Sequence, residues 1–153
     1  MSESPRERIP SYVAAMTVFG ACWAGFAGLV ARGDASVPDN YPLRDLVLGG
    51  VATHKFTRLI SKDGVTTPLR APFTVYVGEE GDAEVEERPR DGHPQHTIGE
   101  LLTCPFCLAP WVASGYVAGL ALAPRTTRTW AAVMSVVAGS DFLQQGYARA
   151  RQN

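Results

Sequence analysis

The chain has 153 residues, of which 46% are hydrophobic and 19% charged, and a formal net charge of −1. That length allows one domain. A near-neutral chain with no concentrated Lys/Arg block excludes a nucleic-acid partner, because phosphates need a basic surface. Three cysteines, two of them spaced Cys-x-x-Cys, are not the even-numbered framework of a small secreted disulfide protein.

Charges are expelled from residues 9–31, 101–123 and 129–140. The first stretch, Ile9 to Ala31, is long enough as a helix to cross the roughly 30 Å hydrocarbon layer of a bilayer, and Arg8 and Arg32 close its ends. A cleavable signal would have a shorter apolar region, about 7–15 residues, and a positive start that Glu3 and Glu7 dilute here. A retained spanning helix over about 11–31 is therefore expected. Ala21, Ala24, Gly25 and Gly28 give it a small-residue face on which another helix can pack closely.

A second helix is expected over 43–60. Its apolar part, Leu46 to Ala52, is short, but Gly49 and Gly50 suit close packing, and His54, Lys55 and Arg58 gather at one end where they can snorkel toward headgroups. Phe73 to Val77 has strand-like composition. Residues 78–96 read as a flexible acidic loop, with seven acids against two arginines between Gly78 and Gly92.

Thr97 and Glu100 have the spacing of a capping box before the third expected helix, 101–123, which carries Gly115 and Gly119 in Gly-x-x-x-Gly spacing. Pro124 and Arg125 turn the chain into a fourth helix over about 129–148, interrupted by Asp141. With four crossings, one side holds Arg6, Arg8, Lys55, Arg58, Lys62, Arg70, Arg88, Arg90, Arg149 and Arg151, against Arg32, Arg44, Arg125 and Arg128 on the other. Cytoplasmic loops are enriched in Lys and Arg, so both termini are expected in the cytoplasm. The expected fold is an all-α, single-domain polytopic bundle of three to four helices in the plasma membrane. Gly25/Gly28 and Gly115/Gly119 are its candidate faces for a membrane partner or a second copy.

Ionisable groups inside membrane segments are costly and point to function. Asp141, His54 and Arg58 fall at comparable depth and could pair, and Glu100, Cys104 and Cys107 belong to the same polar rim. Three readings of the cysteine pair stay open. Cys104-Pro-Phe-Cys107 has the form of a glutaredoxin-like redox tetrapeptide, and if Thr103 caps a new helix then Cys104 sits at its positive end, where a thiol pKa falls. Alternatively, His93 and His96 with Cys104 and Cys107 make a tetrahedral zinc set. The third reading is packing without chemistry, which is also the reading for Cys22.

The segment Asp45 to Arg70, with His54, Thr57, Arg58 and the run Thr66-Thr67-Pro68-Leu69-Arg70, and the block Gly99 to Trp111 with its Thr-Cys-Pro-Phe-Cys core together resemble a family of small bacterial membrane proteins of unknown function. The resemblance implies a membrane location and no activity. No Ser-His-Asp set, phosphate-binding glycine loop or catalytic carboxylate pair can be placed. The expectation is a non-enzymatic membrane protein acting through partner or small-ligand contacts and without a cofactor. Its alternatives are a membrane-bound thiol oxidoreductase with Cys104 as nucleophile and Cys107 as resolving thiol, and a zinc-binding membrane module.

Overall fold

The computed structural model describes residues 9–152, apart from Asp82 and His93. Its helices are α1 (Ile9–Ala31), α2 (Leu43–Ser61), α3 (Thr67–Arg70), α4 (Gln95–Thr103), α5 (Pro105–Leu122) and α6 (Pro124–Gln152), with a 3-10 turn at Gly64–Thr66. Between α3 and α4 lie two antiparallel strands, β1 (Thr74–Gly81) and β2 (Glu84–Pro89). The fold is mostly helical but not all-α.

The third expected helix is split. Cys104 is extended (φ −111°, ψ 103°), the conformation a residue takes when the proline that follows crowds its backbone out of the α region. Pro105 then starts α5 at a position where its missing N–H costs nothing. The expected capping box does not form, since Thr97 lies inside α4, whose N-cap is Pro94. Nor does Thr103 cap α5; its hydroxyl turns back to the Gly99 carbonyl at 2.9 Å, and Cys104 takes the cap.

Three helices form a bundle. Along α2, Asp45, Gly49, Ala52 and Lys55 recur at the spacings that put them on one face, and this face meets α5 and α6. Arg128 holds Asp45 at 2.8 Å, Ser135 donates to the Leu48 carbonyl at 3.3 Å, and Asp141 meets Lys55 at 3.0 Å, so α2 and α6 run parallel. α5 runs against both, through the tight turn at Ala123. Ala52, Tyr116, Leu120 and Ala131 form the buried apolar centre. Glycine matters at the crossing: a Cβ on Gly49 would overlap the Tyr116 ring, whereas Gly50 faces open space. Gly119 lies against Thr127 of α6, and is used inside the bundle.

α1 stands apart. None of its residues is buried. It touches α4 where the Tyr12 hydroxyl donates to Glu100 at 2.9 Å, and α5 where Phe19 meets Trp111 edge to face at 5.0 Å. These contacts ascend together, so α1 is parallel to α5. The four long helices therefore alternate in direction, and the start of α1, the end of α2, the start of α5 and the end of α6 share one end of the molecule.

The stretch expected as a flexible acidic loop is largely the hairpin β1–β2, with irregular register around Val77 and Glu80. Three of its acids are held by basic side chains. Glu84 receives both guanidinium bonds of Arg58, Glu80 pairs with Lys62, and Glu87 pairs with Arg70 at 2.8 Å. The tip is also stitched by backbone bonds, Gly64 N–H to the Ala83 carbonyl and Val85 N–H to the Lys62 carbonyl, both 2.9 Å. Ala83 turns the chain with a left-handed φ of 65°.

The run Thr66 to Arg70 has a structural task. The last carbonyls of a helix lack partners within it. Thr66 donates its hydroxyl to the Leu59 carbonyl, and the fully buried Arg70 donates to the carbonyls of Ile60 and Asp63 while its Nε reaches Glu87. One arginine thus terminates α2 and anchors the hairpin. Burial pushes the Glu87 carboxyl up, but hydrogen bonds from Arg70 and Thr74 and the Arg70 charge outweigh it, and its pKa lies below the ordinary 4.5. A lowered carboxylate pKa stabilises the fold above the ordinary value, and that contribution is lost as pH falls through the folded one. Thermal midpoints followed from about pH 6 down to about pH 3 should fall, and Glu87→Gln should flatten that acid limb.

Candidate functional site

The bundle and the hairpin leave a cleft of about 700 Å³ at the end where the hairpin sits. α2 supplies His54, Lys55 and Arg58, the hairpin tip supplies Ala83 and Glu84, and α6 supplies Asp141, Gln144, Gln145 and Tyr147. Lys55 stands between two carboxylates, Asp63 and Asp141, at 3.0 Å from each, with its side chain 11% exposed. Arg58 is held by Glu84. The formal charges of the walls are therefore largely neutralised by neighbours. His54, on the exposed side of α2, and the two glutamines offer hydrogen-bonding groups to the opening. This arrangement suits a small polar molecule, or a polar segment of a partner, rather than a strongly charged one.

Three of the expected rim residues, His54, Arg58 and Asp141, come together here. Their pairing differs from expectation: Asp141 meets Lys55, because Lys55 continues the α2 face that abuts α6, while His54 and Arg58 lie to its side. The other three are elsewhere. Glu100 is held from α1 by Tyr12 and lies 3.3 Å from His96 Nε2, off the hydrogen-bonding axis. Cys104 and Cys107 follow one turn later, joined as a disulfide with Cα atoms 5.2 Å apart.

The zinc set is not assembled among the described residues. His93 lies outside them, as do Arg6 and Arg8; His96 places Nδ1 3.1 Å from the Arg90 carbonyl. No group of three or more His, Cys, Asp or Glu side chains among the described residues is placed to hold a metal ion. Cys22 is not a packed core residue but is exposed on α1, lining a groove of about 230 Å³ with Phe19, Trp111 and Gly115. Nothing approaches the Cβ positions of Gly25, Gly28 or Gly115, so those faces are open.

Sequence reading missed the pair Asp45–Arg128. Asp45 is buried and bound by two nitrogens of Arg128, while Tyr116 donates to the Asp45 carbonyl at 2.8 Å. An acid in the first turn of a helix was the available signal, but its partner lies 83 residues away.

A family model described as "Protein of unknown function (DUF1360)" matches residues 48–147, which cover α2 from Leu48 through most of α6. No curated protein and no solved structure gives a significant match.

Proposed function

Because the chain belongs to the DUF1360 family, which brings no reaction with it, we propose from the geometry that it is a polytopic membrane protein. In this reading α1, α2, α5 and α6 cross the bilayer, and the hairpin caps a ligand-sized polar cleft on the cytoplasmic side.

The observation that carries this reading is α1: 23 residues, charge-free, mean hydropathy 1.8 over its best window, and no residue buried. Water solvates such a surface poorly, and lipid or another protein must cover it. By length and hydropathy α1 and α5 are the candidate spans among the described residues; α2 and α6 are less apolar. Their packing supports including them. α1 and α5 are parallel, so the chain must return between them, and α2 lies antiparallel against α5 over the same height. The ionisable groups of α2 and α6 that face the bundle are paired with each other, Asp45 with Arg128 and Lys55 with Asp141, as such groups are when taken out of water.

The distribution of polarity is inverted in the same sense. Among the described residues the largest fully buried side chains are Arg70, Asp45 and Ser61, whereas Met16, Leu43, Val136 and Leu143 are each more than two-thirds exposed. A water-soluble domain of this size buries its large aliphatic residues. Alkaline carbonate washing of membranes from expressing cells tests the reading: the chain should stay in the pellet, and release into the supernatant would refute an integral protein.

A further inference from the structure

We propose that Cys104 and Cys107 form a thiol–disulfide exchange site, open to a dithiol substrate, in which Cys107 is the sulfur attacked and Cys104 the leaving thiolate. Two observations carry it, neither of which depends on the bilayer.

The pair is bonded and accessible. Cys107 is exposed on the first turn of α5 and Cys104 is half-buried behind it. Between them Phe106 is 89% exposed, an apolar side chain standing beside the disulfide where an incoming chain would lie. A purely structural crosslink between residues three apart closes a very short loop, the kind that constrains the unfolded chain least.

The two sulfurs are not equivalent. Cys104 is the N-cap of α5, and its Sγ accepts the Cys107 backbone N–H at 3.2 Å. A sulfur at that position faces the free amides and positive end of the helix, which favour its thiolate. Exchange runs faster when the departing sulfur has the lower pKa. Cys107, within the first turn of the helix, has its own N–H spent on Cys104 and is exposed.

The step balances as a two-electron exchange. A substrate thiol loses its proton to water, and its thiolate attacks Cys107 Sγ. The new S–S bond forms as the Cys104–Cys107 bond breaks, and the electron pair leaves on Cys104. The substrate's second thiolate then attacks its own sulfur in this mixed disulfide, expelling Cys107 as a thiolate. Cys104 and Cys107 end reduced, taking up two protons, and the substrate ends as a disulfide. The roles of the cysteines are the reverse of those expected from the order of the tetrapeptide.

The test uses the full chain in detergent with Cys22→Ser, which leaves only this pair. Oxidised protein mixed with glutathione and quenched with iodoacetamide should carry glutathione on Cys107 and the alkyl group on Cys104, read by peptide mass spectrometry. After full reduction, Cys104 should be alkylated about tenfold faster than Cys107 below neutral pH, as its place at the N-terminus of α5 favours the thiolate. Glutathione on Cys104, or equal alkylation rates, overturns the assignment. A disulfide that resists glutathione in the folded protein but yields in the unfolded one overturns the exchange site altogether.

Discussion

Arg70→Met should lower the stability of the detergent-solubilised chain by about 3–5 kcal/mol, the usual result of removing one partner from a buried ion pair. The substitution strands the Glu87 carboxylate, whose side chain is 1% exposed, and removes donors from the carbonyls of Ile60 and Asp63. Thermal unfolding measures the loss. The double variant Arg70→Met with Glu87→Leu should recover a large part of it, because no charge is then left buried alone. Equal destabilisation by the single and double variants would mean that the carbonyl bonds, and not the ion pair, dominate. Loss of hairpin docking should also open the cleft, since Glu84 on its wall is carried by the same hairpin.

Gly49→Ala should cost about 1–3 kcal/mol, the range for forcing extra volume into a packed core. The added Cβ would fall 2.7 Å from Cδ1 and 2.8 Å from Cζ of Tyr116. That ring cannot easily yield: its hydroxyl is bonded to the Asp45 carbonyl, and Trp130 lies against it at a tilt, with centroids 6.3 Å apart. Gly50→Ala, one residue away and facing open space, should be neutral or raise stability by up to about 1 kcal/mol through helix propensity. Comparing the thermal midpoints of the two variants separates the crossing from propensity. Similar losses at both positions would contradict the packing described.

These two residues mark where the sequence was legible and where it was not. α1 is written in the segregation of charge and α2 in a short apolar run closed by basic residues, and the ends of both lie within two residues of those expected. The glycine pair was recognised as a packing feature, but only Gly49 meets a neighbour, because which of two adjacent glycines faces the bundle is decided by a partner on another helix. The hairpin was hidden by its own composition. Glu80, Glu84 and Glu87 look like part of a solvated run until Lys62, Arg58 and Arg70 are brought to them, across separations of 17 to 26 residues.

The polar rim shows the same limit. His54, Arg58 and Asp141 were placed together from depth alone, and depth is a sound guide between helices of similar length. Lys55 was read as one of several snorkelling cations, and its place between Asp63 and Asp141 depends on the rotation of α2 about its axis. Glu100 and the cysteines separate from that group because Pro105 breaks the expected helix, so their distance from His54 could not be judged from a continuous span.

Reporter fusions test the alternating, four-crossing arrangement. A reporter active only in the cytoplasm, fused after Asn153, should be active, and the same reporter placed in the 32–42 connection between α1 and α2 should be silent. A reporter active only outside should give the opposite pattern. Activity of the cytoplasmic reporter at both positions, or at neither, would contradict the account.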